Sequence, residues 1–93
     1  MSITIHIPTP LRSYTDSQAT VEVEGGSVAE ALTALTTRYT ELTKHLRDDQ
    51  GRLRSFVNVY LGDEDIRYLE GESTTVSDGS ELIIVPSIAG GTR

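Results

Sequence analysis

The first residues of the chain alternate between β-branched apolar residues and polar ones, and prolines at positions 8 and 10 end the pattern. A period of two predicts a strand with one buried face. The same alternation returns over residues 19–24 and predicts a second strand. Because a single loop joins the two, we expect an antiparallel hairpin. The predicted inward positions are Ile3, Ile5, Ile7, Ala19, Val21 and Val23.

A helix is predicted after the Gly25-Gly26 pair. Ser27 and Glu30 have the spacing of a capping box, in which the serine oxygen accepts from the Glu30 amide. Apolar residues then recur every three or four positions, which predicts one amphipathic helix of about four to five turns. The apolar stripe comprises Val28, Ala31, Leu32, Leu35, Tyr39, Leu42 and Leu46.

The second half of the chain predicts more strands. Residues 56–61 form a third strand, residues 61–66 turn into a short fourth, and Leu82–Val85 form a last strand that is apolar on both faces and therefore central. One helix covers one face of a sheet. The chain is thus predicted to be an α+β roll, a mixed four- to five-stranded sheet with one main helix on one face. We expect the first and last strands to be its parallel central pair, with the domain over 1–86 and a flexible tail over 87–93.

Composition narrows the function classes. The chain has 93 residues, which suits one domain, and its formal net charge of −6 argues against nucleic-acid binding. It has no cysteine, so disulfides and thiolate chemistry are excluded. It has no long apolar run and no signal-peptide pattern. We therefore expect a cytoplasmic domain, monomeric when isolated, that binds neither membranes nor nucleic acid.

The charges are unevenly distributed. Acidic residues dominate positions 62–81, and basic residues dominate positions 38–54. Two interpretations remain open for the acidic block: an ordinary solvated surface, or an acidic face that steers a basic partner.

Side-chain catalysis finds little support. His6 and His45 are far apart and lack metal-ligand spacing, so both are interpreted as ordinary surface residues. The acidic run 63–65 lacks the longer pattern of a calcium loop and is interpreted as a turn that carries acidic side chains. We therefore predict no catalytic residue, no metal site and no bound cofactor, and the chain is not expected to be a freestanding enzyme.

One face of the sheet is a candidate partner-binding surface. If Leu82 and Ile84 face the helix, Ile83 and Val85 point outward. Phe56 and Tyr60 lie near them if the third strand also buries its valines. An exposed apolar and aromatic patch marks a partner site. The alternative is that Phe56 and Tyr60 belong to the core.

The tail contains Gly90 and Gly91 followed by Thr92 and Arg93. Glycine lacks a Cβ, so a diglycine can thread a narrow crevice, and a C-terminal carboxylate there could be activated by a partner enzyme. If Gly91 is the reactive residue, Thr92 and Arg93 must first be removed. The alternative is a frayed terminus without a role.

Several motifs together resemble a known family. They are Phe56-Val57-Asn58-Val59-Tyr60, Asp63-Glu64-Asp65, Asp78-Gly79, the opening Ile7-Pro8-Thr9-Pro10-Leu11-Arg12 and the ending Ile84-Val85-Pro86-Ser87-Ile88-Ala89-Gly90-Gly91. With the predicted roll, they resemble the ubiquitin-like sulfur-carrier proteins (ThiS/MoaD-like). The likeness is greatest to the carriers of O-phosphoserine-dependent cysteine biosynthesis.

The resemblance implies a β-grasp fold and a carrier function. In the family, an E1-like adenylyltransferase uses ATP to adenylate the terminal glycine, and a sulfur donor converts it to a thiocarboxylate. Transferred to this chain, Gly91 is the reactive residue, and Ile88, Ala89 and Gly90 thread the partner's active site. A cysteine synthase or another sulfur-accepting synthase is the implied acceptor.

The chain departs from the family pattern at its last two residues. Members that act directly end in the diglycine, whereas some relatives resemble a pro-form trimmed by a JAMM-type zinc metalloprotease. The expected processing site therefore lies between Gly91 and Thr92, and residues added by cloning are the competing explanation. Two other functions remain open: a ubiquitin-like protein modifier, and a small subunit or interaction module such as that of molybdopterin synthase.

Overall fold

The computed structural model describes residues 2–86 and contains one mixed five-stranded sheet in the order β2-β1-β5-β3-β4. The strands are β1 (Ser2–His6), β2 (Thr20–Glu24), β3 (Val57–Leu61), β4 (Glu64–Asp65) and β5 (Glu81–Pro86). The α-helices are α1 (Val28–Arg38) and α2 (Thr43–Leu46), and short 3₁₀ helices cover Thr9–Tyr14, Thr40–Leu42, Ile66–Tyr68 and Gly71–Ser73.

The centre of the sheet is a parallel pair of strands. β1 and β5 run in the same direction with Ile5 opposite Leu82, while β2 and β3 pair antiparallel on either side. The predicted hairpin and the predicted central pair are both confirmed. β5 is central because it pairs with β1 along one edge and with β3 along the other.

The core lies between α1 and the inner face of the sheet. Every second residue of β1, β2, β3 and β5 points into it, as the alternation predicts, and the apolar stripe of α1 packs against them. The most completely buried members are Ile3, Ile5, Val28, Ala31, Leu35 and Leu82. Burial of this apolar area is the main stabilising contribution.

The predicted single long helix is wrong in one respect. α1 ends at Arg38, because the backbone of Tyr39 leaves the helical region at φ −121° and ψ 82°. A 3₁₀ turn and the short α2 then continue the path, and Leu42 and Leu46 remain buried. The Thr36 hydroxyl donates to the carbonyl of Leu32, which weakens the helix just before its end.

The start of α1 is fixed by its capping residues. The Ser27 oxygen accepts from the Glu30 N–H at 3.2 Å, and the Glu30 carboxylate accepts from the Gly26 N–H at 2.8 Å. The box therefore closes one residue earlier than the standard pattern. A Cβ built on Gly25 would lie 2.9 Å from the backbone nitrogen of Ala31, so the chain turns into the helix through a space that admits only glycine.

The two neighbouring glycines provide a matched test of this turn. We expect Gly25→Ala to lower the free energy of unfolding by about 1–3 kcal/mol, because its new methyl group meets rigid helix backbone. Gly26→Ala should change it by less than about 0.5 kcal/mol, since its nearest neighbour is the Glu30 side chain at 3.5 Å. Urea unfolding of both variants measures the difference, and equal losses would contradict a close approach at Gly25.

Candidate partner-docking face and tail exit

The face of the sheet opposite α1 carries an exposed apolar patch, formed by Phe56, Tyr60, Ile83 and Val85. Ile83 lies directly opposite Tyr60 in the antiparallel pairing of β5 with β3. Phe56 is 47% exposed and Val85 is 39% exposed, whereas Tyr60 and Ile83 are half-buried. Phe56 and Val85 lie at the end of the sheet where β5 finishes, and Tyr60 and Ile83 extend the apolar patch along the strands toward the other end.

The structure decides between the two sequence interpretations of β3. Val57 and Val59 are buried, and Leu82 and Ile84 accompany them in the core. Because side chains alternate along a strand, Tyr60 must point outward. The outward assignment of the patch is confirmed, and its use as a partner-binding surface stays a prediction.

A polar pair borders the patch on the β1 side. His6 lies opposite Ile83 in the parallel pairing, and its Nε2 is 2.6 Å from the Glu81 carboxylate. Both side chains are substantially exposed, at 39% and 58%. His6 is therefore a surface residue, as expected, with a defined partner.

An ion pair borders the patch on the β4 side. Asp65 lies opposite Tyr60, and its carboxylate accepts from the Arg67 guanidinium at 2.7 Å and from the Arg67 backbone N–H at 2.9 Å. These hydrogen bonds hold the pKa of Asp65 below its ordinary value. The acidic run 63–65 is thus more than a turn with acidic side chains on its surface, since Asp65 is buried and caps the following 3₁₀ helix.

His45 differs from its sequence interpretation. Its ring stacks on Tyr14 with centroids 4.3 Å apart, and its Nε2 is buried without a hydrogen-bond partner in the described part of the chain. It belongs to α2 and is half-buried against Tyr14 of the 3₁₀ helix Thr9–Tyr14, so it is not an ordinary surface residue. The contact joins positions far apart in the sequence, so no local pattern could have revealed it.

The tail begins beside the patch. Pro86, the last residue of β5, pairs with Val57 at the start of β3, next to Phe56. The predicted functional residues Ile88, Ala89, Gly90, Gly91 and Thr92 lie outside the described residues. The fold therefore fixes where the tail starts and which exposed side chains surround that point.

Much of the acidic block is engaged in contacts within the domain. Glu72 forms a pair with Arg47 at 2.7 Å, and Asp78 accepts from the Ser2 N–H. Within residues 2–86, no cluster of three or more histidine or acidic side chains could hold a metal ion. No helix in that range is long and apolar enough to cross a membrane.

The Asp65–Arg67 pair predicts a pH-dependent stability difference. A carboxyl group with a lowered pKa stabilises the fold above its ordinary value of 3.8, and this stabilisation disappears as the pH falls through the folded-state value. We expect Arg67→Met to lower Tm at neutral pH and to approach the wild-type Tm in acid. Thermal unfolding over a pH series measures this, and a pH-independent difference would contradict the role of the pair.

Phe56 and Val59 offer a matched test of the two faces. Phe56→Asp should stay folded and lower the free energy of unfolding by at most about 1–2 kcal/mol, because about half of the side chain is already exposed. Val59→Asp buries a charge and should cost several kcal/mol, on the order of 3 or more. Circular dichroism and urea unfolding distinguish them, and loss of fold in the Phe56 variant would place Phe56 in the core.

Comparison with known proteins agrees with this architecture. The ThiS family model matches residues 5–91. The sulfur carrier protein CysO of Mycobacterium tuberculosis is 37% identical over 93 residues, which cover 98% of this chain and 100% of that protein. Small archaeal modifier protein 3 of Haloferax volcanii is 29% identical over 68 residues, covering 73% of each chain.

A solved structure extends the likeness to the fold. The crystal structure of the Amycolatopsis orientalis BexX/CysO complex contains a chain that superposes with a TM-score of 0.87 at 37% identity, covering 96% of this chain and 99% of that one. The predicted β-grasp roll is thereby confirmed. The chain belongs to the ThiS family of ubiquitin-like proteins and is homologous to the CysO sulfur carriers.

Proposed function

We propose that this chain is a sulfur carrier in cysteine biosynthesis and that it acts as a co-substrate of partner enzymes. The observation that carries the proposal is the near full-length identity to the sulfur carrier CysO. The family match ends at residue 91, which leaves Thr92 and Arg93 outside it. Gly91 is therefore the proposed reactive residue, after a JAMM-type metalloprotease removes the last two residues.

The chemistry uses a main-chain carboxylate. A carboxylate is a poor electrophile, so its oxygen first attacks the α-phosphorus of ATP on an E1-like enzyme, and pyrophosphate leaves. A sulfur donor then displaces AMP and leaves a thiocarboxylate on Gly91. The chain contains no cysteine, so the acyl group of the tail, and not a thiol side chain, carries the sulfur.

In this proposal the folded domain binds the partner, and the residues after β5 provide the length to reach its active site. Residues 86–91 span at most about 20 Å when extended, which is long enough to enter a buried active site while the domain stays outside. Phe56 and Val85 of the apolar patch lie at the end of the sheet where the tail starts, so a partner that receives the tail can bury them at its entrance. Gly90 and Gly91 let the tail pass a narrow crevice.

A second candidate function is protein modification. It is favoured by the similarity to small archaeal modifier protein 3, a relative whose name describes a modifier. In this case the activated Gly91 would form an isopeptide bond with a lysine of a target protein. Activation by an E1-like enzyme would be shared, and the acceptor would differ.

The carrier function is tested by loading a chain that ends at Gly91. The chain is incubated with the E1-like enzyme of its source organism, ATP and a sulfide donor, and intact mass is measured. We expect one sulfur-for-oxygen exchange, and lysine adducts without this exchange would favour the modifier. Gly91→Ala should reduce loading by roughly tenfold or more, because a Cβ obstructs a crevice shaped for glycine.

Two further measurements test whether loading depends on the apolar patch and on removal of the last two residues. Phe56→Asp should lower kcat/KM for loading by roughly tenfold, since central aromatic contacts dominate interfaces. The unprocessed chain ending in Arg93 should not load until a protease of the source organism has trimmed it. Absence of both AMP transfer and sulfur on the trimmed wild-type chain would contradict the proposed function.

A further inference from the structure

Charged side chains are segregated along the strand direction. β1 and β5 begin, and β2 and β3 end, at the end of the sheet remote from Pro86. This remote end has no lysine or arginine among residues 2–86. Its carboxylates are Glu22, Glu24, Glu30, Asp63, Glu64, Asp78 and Glu81.

The end of the sheet near Pro86, named the tail end, has a different balance of basic and acidic side chains. Apart from Arg67, all described lysines and arginines lie in segments that reach this end: Arg12, Arg38, Lys44, Arg47, Arg52 and Arg54. The acidic side chains in these segments are Asp16, Glu41, Asp48 and Asp49. Glu70 and Glu72 belong to the segment that leads to Thr74, whose carbonyl accepts from Val28 at the start of α1, and Glu72 pairs with Arg47. The tail end is therefore close to neutral, while nearly all of the negative charge lies away from it.

Three of these cations, Arg12, Lys44 and Arg54, are named the basic rim. Lys44 and Arg54 line one groove together with Glu41, Asp48 and Asp49, and Arg12 belongs to the 3₁₀ helix whose Tyr14 stacks on His45, next to Lys44. The Arg54 carbonyl accepts from the N–H of Val57, which pairs with Pro86. The Arg54 Nε donates to the Lys44 carbonyl at 2.8 Å. Arg54 and Lys44 are thus connected to the strand pair at which the tail starts.

The two arginines of the rim are anchored through one nitrogen each. The Arg12 Nε donates to the carbonyl of Ile7 at 3.0 Å, as the Arg54 Nε does to Lys44. The Nη groups of both have no hydrogen bond within residues 2–86. Guanidinium groups held in this way can pair with carboxylates at little entropic cost.

We propose that the basic rim docks against acidic side chains that border the crevice receiving the tail. The inference rests on the proposed function, because it needs a partner that takes up the tail. An acidic entrance repels the acidic remote end and attracts the basic rim. The domain therefore approaches with its tail end facing the crevice. A basic entrance would attract the remote end and turn the tail away.

The test uses Lys44→Glu, since Lys44 is exposed and its side chain makes no hydrogen bond among the described residues. Adenylation of the Gly91-ending chain by the E1-like enzyme of the source organism is followed by pyrophosphate release. At roughly 0.05 M salt we expect kcat/KM to fall on the order of tenfold, and at about 0.5 M the difference should shrink because charges are screened. Arg54→Gln should act in the same direction.

A charge-swapped control distinguishes the effect of a charge at the rim from the effect of the net charge of the chain. Lys44→Glu combined with Glu22→Lys keeps the formal net charge at −6 and reverses the charge at the rim. We expect the double variant to stay as slow as Lys44→Glu. Recovery of the wild-type rate, or an unchanged or faster rate in Lys44→Glu, would overturn the proposal. Wild-type adenylation in the same assay shows that such a result concerns the rim and not the carrier function.

Discussion

The parallel pairing of β1 with β5 is the constraint on which the rest of the structure depends. Parallel neighbours cannot be joined by a tight turn, so the intervening chain must cross one face of the sheet, and here α1 makes that crossing. The covered face becomes the core and the other face stays open. On the other edge of β5, the antiparallel pairing with β3 places the end of β5 beside the start of β3 and so brings the tail exit next to Phe56.

Strand pattern and central pairing could be predicted because they depend on alternation along the chain, as in Ile3, Ile5 and Ile7. Three features could not. The break at Tyr39 leaves the apolar stripe intact, so periodicity does not reveal it. The burial of Asp65 and the stacking of His45 on Tyr14 arise from tertiary contacts. The reactive end was predicted from its glycines and lies outside the described residues.

The domain and its tail have separate tasks in this account. Under the proposed function, the domain contributes recognition through the apolar patch on its open face and the basic rim. The tail contributes a carboxylate and enough length to reach a buried active site. In the proposed function the reactive group is the main-chain carboxylate of Gly91.

The position of the sulfur tests this central claim most directly. The chain is loaded with a labelled sulfide donor, then fragmented in a tandem mass spectrometer without prior reduction. The account predicts the added sulfur on fragments that contain Gly91 and on no fragment that ends before it. Sulfur on a lysine or on an internal carboxylate would contradict the main-chain acyl group as the carrier.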